Sequence, residues 1–168
     1  FTDPYFTPDG VSLGYDVFYR EYDAREAEVS NYKTSTMGAG IRMGVPVTEY
    51  DRVNFGFTPE WMKLKLYDGA PERYTDFVNK YEGTGATSAE FLTLKANVGW
   101  GRNKTDSALW PTRGYIMKAN AEVGLPGGDI QYYKLTHGQT WFFPLSKNLT
   151  LMLNGEIGYA DGYGKTDE

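Results

Sequence analysis

Hydrophobic and polar residues alternate along most of the chain with a period of two, which is the pattern of β-strands. In 148–160, the clearest case, apolar residues take every second position and polar residues mostly fill the positions between them. The same alternation runs, less regularly in the third and the last, through six more segments: 11–22, 32–45, 52–66, 91–102, 113–125 and 130–143. The alternation of 52–66 changes phase near Pro59, which predicts a bulge there. The sequence therefore predicts an all-β protein with seven long strands.

The length of the predicted strands bears on the environment of the sheet. They run to about 10–15 residues, whereas strands of globular proteins usually have about 5–6 and tilted membrane strands need about 9–11. Length therefore favours a transmembrane antiparallel β-barrel with up-and-down strands. A soluble β-sandwich would show the same alternation with its faces reversed, so the alternation alone leaves both folds open.

In the barrel interpretation, the apolar positions face lipid and the positions between them face a wet interior. The predicted lipid-facing residues are Leu92, Leu94, Val98, Met117, Val123, Leu149, Leu151, Leu153 and Ile157. The predicted lumen-facing residues are Arg42, Lys95, Asn97, Lys118, Asn120, Glu122, Asn154 and Glu156.

The connections between the predicted strands alternate in length, as in barrels with short periplasmic turns and long surface loops. We expect the shorter connections 46–51, 103–110 and 144–148 on the periplasmic side. The opposite side carries 23–31, 67–90 and, as a short exception, 126–129.

The long connection 67–90 contains a helical signal. Apolar side chains recur there at helical spacing at Tyr74, Phe77, Val78 and Tyr81. Pro71 stands near the start of this run and Gly83 just past its end, where helices commonly begin and end. We expect 71–81 to form one short amphipathic surface helix.

Aromatic residues cluster at the ends of the predicted strands. They form two sets, as in the aromatic belts at the two interfaces of a membrane, although the rim of a soluble barrel would look similar. On the side of the short turns they are Tyr50, Trp100, Trp110, Trp141, Phe142 and Phe143. On the other side they are Tyr22, Tyr67, Tyr132 and Tyr133.

Composition narrows the possible functions. The 168 residues carry a formal net charge of −5, which argues against a general nucleic-acid binder. There is no cysteine and only one histidine, His137, so thiolate and His-rich metal sites are excluded. The segment "GAGIRMG" (38–44) lies inside a strand and lacks the spacing of a dinucleotide-binding loop. We therefore expect no cofactor, no metal site and no enzymatic activity.

Five segments of the chain resemble, in the same order, the BamA family, whose members are the barrel subunits of the bacterial outer-membrane β-barrel assembly machinery. The most specific is the turn "GWGRNKTDSALWPTRG" (99–114). The others are "FTDPYFTPDGVSLGY" (1–15), "GVPVTEYDRVNFGF" (44–57), "QYYKLTHGQTWFFPL" (131–145) and "GEIGYADGYG" (155–164). The resemblance runs nearly end to end and weakens in the two longest loops.

The resemblance implies a location in the bacterial outer membrane and a role in folding and inserting other β-barrel proteins there. It implies that the chain is a partial barrel domain, about seven strands of a 16-stranded barrel. The family's periplasmic POTRA repeats and both seam strands would lie outside 1–168. The implied partners are outer-membrane lipids, client β-barrel proteins and, on the periplasmic side, accessory lipoproteins.

The resemblance also carries one set of residues onto this chain, those of the periplasmic turn. They are Trp100, Gly101, Asn103, Asp106, Pro111 and Gly114. Their expected role is structural, since Asn and Asp close turns onto nearby backbone N–H groups and Pro suits the first residue of a strand. Two other functions remain open at this point, a passive outer-membrane barrel such as a porin or adhesin and a soluble β-sandwich binding module.

Overall fold

The computed structural model describes residues 1–26 and 30–166, which form one antiparallel sheet with a helix packed on it. The seven predicted long strands are confirmed, and each pairs with its neighbours in the chain. A two-residue strand precedes them, so the order is β1 (Thr2–Asp3), β2 (Ser12–Asp23), β3 (Tyr32–Pro46), β4 (Asp51–Leu66), β5 (Ser88–Thr105), β6 (Gly114–Gly124), β7 (Tyr132–Ser146) and β8 (Leu149–Gly162). A short 3₁₀ turn, Gly164–Thr166, follows. Within the described residues no helix has the length and apolarity needed to cross a membrane.

The connections define two sides of the sheet. The turn side carries the connection 4–11 and the hairpin turns 47–50, 106–113 and 147–148, and the loop side carries the connections from β2 to β3, β4 to β5 and β6 to β7. Among the described residues β8 pairs only with β7, and β1 covers only a short stretch of β2 near Gly14. Two sheet edges are therefore open. Unpaired backbone groups cannot face lipid, so both edges need further strands if the sheet is to cross a membrane.

The predicted bulge at Pro59 is wrong. Pairing between β3 and β4 is interrupted opposite Pro59, but Ile41–Phe57 on one side and Gly38–Glu60 on the other keep the same register. A proline has no N–H group to donate to the ladder, which accounts for the missing pair without an inserted residue. A register shift occurs instead between β7 and β8, between Pro144 and Ser146.

The predicted helix is confirmed as α1 (Glu72–Glu82), which follows Pro71 and ends where the Gly83 N–H donates to the Asn79 carbonyl at 3.0 Å. Its apolar side packs onto the loop-side ends of β4 and β5. The buried cluster consists of Leu64, Leu66, Val78, Ala89 and Phe91. This cluster explains the phase change seen in the sequence of β4, because apolar residues move to the other face of the strand where the helix covers it.

Candidate functional site

The strand register divides the side chains of the sheet between an apolar face and a polar face. All nine residues predicted to face lipid lie on the apolar face, where for example Val98 lies opposite Phe55 and Leu153 opposite Trp141. Many of these side chains are exposed, and Ile157 keeps 72% of its surface accessible. Monomeric soluble proteins rarely expose a contiguous apolar surface of this extent, so the face needs an apolar environment or partner.

The polar face carries all eight residues predicted to face the lumen, on the same side of the sheet as α1. Two ion pairs join strands on this face: Lys95 pairs with Glu60, and Arg42 pairs with Asp16 at 3.0 Å. Neighbouring pairs such as Asn97 opposite Glu122 continue the polar surface across β5 and β6. A wall of this kind suits contact with water.

The glycines of "GAGIRMG" serve this polar face. A Cβ atom added at Gly38 would lie 2.7 Å from the Phe18 ring, and one at Gly44 would lie 2.7 Å from the Ser12 hydroxyl. Side chains of adjacent strands therefore lie across the bare backbone at these positions. The glycine pattern reflects packing on the sheet.

Three aromatic residues assigned to the membrane belts lie on the polar face instead. Tyr132 donates its hydroxyl to Glu122 at 2.7 Å, Tyr22 lies opposite Thr34, and Phe142 lies opposite Gly114. Position near a strand end does not reveal the face of the sheet, so clustering alone over-counted the belts. Others, such as Trp141 on the turn side, do lie on the apolar face.

The hairpin between β5 and β6 carries the predicted turn motif. Asp106 closes its loop by accepting hydrogen bonds from the Thr112 hydroxyl at 2.6 Å and from the backbone N–H groups of Thr112 and Arg113 at 2.9 and 3.0 Å. The side-chain oxygen of Asn103 accepts from the Thr105 hydroxyl at 2.8 Å. These contacts hold the loop through its own side chains, with Asp and Asn closing turns onto nearby donors.

Gly114 ends this loop in a conformation that a larger residue would strain. Its φ is +109°, and an added Cβ would lie 2.0 Å from the Lys104 carbonyl oxygen. Gly101 lies on the polar face opposite Lys118. The expectation that Pro111 is the first residue of a strand is wrong, because β6 begins three residues later at Gly114. The Asp106 carboxylate takes the N–H donors of the two intervening residues, so they cannot enter the ladder.

Sequence reasoning missed the most connected group on the turn side, the carboxylate of Asp51. Asp51 is 6% exposed and accepts from Arg102 Nε and Nη2 at 2.7 and 2.9 Å and from the Trp100 indole N–H at 3.1 Å. The Thr48 hydroxyl donates a fourth hydrogen bond at 2.7 Å. Because Asp51 and Arg102 lie directly opposite each other, the carboxylate joins the first turn to the 106–113 hairpin.

His137 lies on the apolar face, opposite Ala119 and Ile157. The Trp141 indole N–H donates to Gln139 Oε1 at 3.2 Å, which turns the Gln139 amide nitrogen toward His137 Nε2 at 2.8 Å. Three polar side chains therefore pair with one another on an otherwise apolar surface. Among the described residues no three His, Cys, Asp or Glu side chains lie close enough to hold a metal ion.

The Asp106 contacts make the hairpin sensitive to acid. The pKa of Asp106 is lowered from 3.8 to about 2. The largest cause is the hydrogen bond from the Thr112 hydroxyl, followed by those from the backbone N–H groups of Arg113 and Thr112. A carboxylate with a lowered folded-state pKa stabilises the fold above its ordinary pKa, and this contribution is lost as the pH falls toward 2.

We therefore expect the Thr112 and Arg113 amides to lose hydrogen-exchange protection, corrected for intrinsic rates, between about pH 4 and 2. In an Asp106→Ala variant the same two amides should exchange rapidly across the whole range. Protection that is independent of pH in the unsubstituted protein would contradict this account of the loop.

The comparisons with known proteins converge on one family. The Omp85 superfamily domain matches residues 1–167. The chain is 62% identical, over its whole length, to the outer membrane protein assembly factor BamA of Neisseria meningitidis serogroup B, of which it covers 22%. It is 31% identical over 137 residues to the protein of the same name from Nitratidesulfovibrio vulgaris, a match that covers 80% of the chain and 15% of that protein.

A solved structure supports the same relation. The crystal structure of BamA from Haemophilus ducreyi lacking POTRA domains 1–3 superimposes with a TM-score of 0.81 at 29% identity. The match covers 98% of this chain and 32% of that one. The chain thus spans less than a quarter of the length of the two assembly factors and about a third of the crystallised BamA chain.

Proposed function

Because the chain belongs to the Omp85 superfamily, we propose that it forms part of an outer-membrane protein assembly factor that folds and inserts β-barrel proteins into the bacterial outer membrane. The observation that carries the proposal is the identity of 62% over the whole chain to a protein of that name. Relatives named as assembly factors favour this role over a passive barrel, and the exposed apolar face argues against a soluble sandwich.

In this proposal the chain supplies seven strands of a larger barrel wall, with the apolar face toward lipid and the polar face toward the lumen. The POTRA repeats and the seam strands belong to other parts of the protein. The two open edges and the paired charges of the polar face support the arrangement. The contribution to assembly is mechanical, since a stable wall holds the geometry of a barrel whose edge elsewhere can pair with a client strand.

The turn side faces the periplasm in this arrangement, and there it meets accessory lipoproteins. The tip of the 106–113 hairpin exposes two large apolar side chains, Leu109 at 85% and Trp110 at 83%. The network of Asp51 and Asp106 fixes the hairpin that presents them. Exposed apolar groups on a rigid turn suit contact with a protein partner.

The proposed function is tested in cells that depend on the complete protein. Depletion of the complete protein is expected to lower the amounts of several unrelated outer-membrane barrels. Supplying the gene of the complete protein again should restore those amounts. For a passive barrel, depletion would remove one permeability or adhesion property and leave the other barrels at their usual amounts.

The orientation of the sheet is tested by two arginine substitutions on one strand. Ile157→Arg places a charge on the apolar face in the middle of β8, where it is expected to cost about 2–4 kcal/mol in lipid. Asn154→Arg makes the same change of charge on the polar face, where water can solvate the guanidinium, and should cost less than about 1 kcal/mol. The measurement is equilibrium unfolding of the complete protein in vesicles, and equal costs would refute the orientation.

A further inference from the structure

The loop-side border of the apolar face carries a small basic pocket. Going toward the loop side along β4, the outward side chains change from Phe57 and Trp61 to Lys63 and Lys65. A cavity of about 210 Å³ lies at this border. Its lining, the lysine pocket from here on, consists of Lys33, Ser35, Lys63, Lys65 and Tyr67.

Two lysines of this pocket face each other across neighbouring strands. Lys33 lies directly opposite Lys65 in the register of β3 and β4, and like charges in that position destabilise a sheet. Glu21 relieves one of them, since its carboxylate lies 2.7 Å from Lys33 Nζ. Lys65 forms no ion pair within the described residues, and its Nζ instead lies 5.4 Å from the Tyr67 ring centroid. Lys63 is paired in the same way as Lys33, with Glu90 at 2.7 Å, so the surplus positive charge beside the cavity is that of Lys65.

A largely apolar groove of about 440 Å³ adjoins the lysine pocket on the apolar face. Ser35 and Lys63 line both cavities, so the two lie side by side. Its apolar lining includes Tyr19, Met37, Trp61 and Leu92. Two carboxylates also line it: Glu90 pairs with Lys63 at 2.7 Å, and Asp129 accepts a hydrogen bond from the Leu92 N–H at 2.7 Å. A pocket with one unpaired lysine thus adjoins a largely apolar groove, and this sequence of surfaces matches a molecule with an anionic head and a hydrocarbon tail.

We propose that the lysine pocket and the apolar groove together bind one anionic membrane lipid, with its phosphate group at Lys33 and Lys65 and an acyl chain along Trp61 and Met37. The positive charge of Lys65 is complementary to a phosphate group, and in the proposed orientation the change from apolar side chains to lysines marks the border between hydrocarbon and headgroups. We assign a lipid as the ligand because a free phosphate ion would leave the adjoining groove uncovered. The inference rests on the orientation proposed above.

The experiment measures lipid binding to the complete protein in detergent by native mass spectrometry. Phosphatidylglycerol is the probe, and phosphatidylcholine with identical tails is its counterpart without net charge. We expect Lys65→Gln to weaken phosphatidylglycerol binding about fivefold, the effect of one lysine near a headgroup, and Lys65→Arg to retain it. Lys118→Gln, which removes a lysine from the polar face, should change binding less than twofold.

Several outcomes would overturn the proposal. Equal losses for Lys65→Gln and Lys118→Gln would show that only overall charge matters, and equal binding of the two lipids would show that the pocket does not recognise an anion. Displacement of phosphatidylglycerol by inorganic phosphate at the same concentration would indicate an ion site instead of a lipid site. The proposed orientation is tested separately, by the unfolding free energies of Ile157→Arg and Asn154→Arg. If these two differ as expected while Lys65→Gln binds phosphatidylglycerol normally, the lipid site is wrong and the orientation stands.

Discussion

Replacing Asp51 by alanine is expected to lower the free energy of unfolding by about 3–5 kcal/mol, the range for a buried ion pair that loses one partner. The carboxylate is 6% exposed and accepts hydrogen bonds from Arg102, Trp100 and Thr48. Alanine would leave the guanidinium and the indole N–H without their acceptor at the border of the apolar face. The Arg102 side chain keeps 38% exposure, so water solvates it in part and the lower half of the range is expected.

Two matched variants separate this effect from the loss of a negative charge. Asp51→Asn keeps the shape and one acceptor oxygen, so it should cost less than Asp51→Ala. Asp16→Ala removes the carboxylate of the exposed Arg42 pair on the polar face and should cost about 1 kcal/mol or less. The measurement is equilibrium unfolding of the complete protein in detergent, and a cost for Asp16→Ala equal to that of Asp51→Ala would contradict the central role of Asp51.

The faces of the sheet could be predicted from the sequence because alternation is a local property of each strand. Which face of the sheet Leu151 or Asn154 lies on depends only on its position in β8. The nine residues predicted to face lipid and the eight predicted to face the lumen, seventeen in all, therefore divide between the two faces as the alternation indicates. That the apolar face meets lipid is a proposal that the Ile157→Arg and Asn154→Arg pair tests.

Contacts between strands could not be predicted in the same way, because they depend on register. Asp51 and Arg102 are 51 positions apart, and the predicted strand 91–102 ended three residues before the observed end of β5 at Thr105. Only the register of β4 and β5 brings the two side chains opposite each other. A lone carboxylate at a strand start was therefore indistinguishable from a solvated turn residue.

The phase change in β4 illustrates a second limit of the sequence. A bulge and a packed helix both shift apolar residues to the other face of a strand, and Pro59 made the bulge the simpler interpretation. The structure shows continuous register and places Leu64 and Leu66 against α1. The helix could be predicted from the spacing of its own apolar residues, but the sequence did not indicate which strands it packs on.

The second large effect is expected at that helix contact, where Phe91→Ala should cost about 3–5 kcal/mol, the range for removing a buried phenylalanine. Phe91 is 2% exposed, and its ring centroid lies 5.0 Å from those of Phe77 and Tyr81 on α1. Loss of the Phe91 ring would leave a cavity and would remove the main contact between the helix and β5. We expect the backbone amides of α1 to lose hydrogen-exchange protection by a larger factor than the amides of β5, since the strand also keeps its ladders to β4 and β6.

Two neighbouring substitutions make this test specific to the helix contact. Leu92→Ala removes a similar volume from the next residue, on the apolar face, and should leave the exchange of α1 unchanged. Tyr81→Phe removes a buried hydroxyl that has no hydrogen-bond partner within the described residues, so it should be neutral or stabilising. If Leu92→Ala released α1 as much as Phe91→Ala did, the helix would be held by the strand pairing as a whole. Release by Phe91→Ala alone would instead mean that this one ring holds the helix over the polar face, where α1 narrows the loop-side end of the lumen in the proposed orientation.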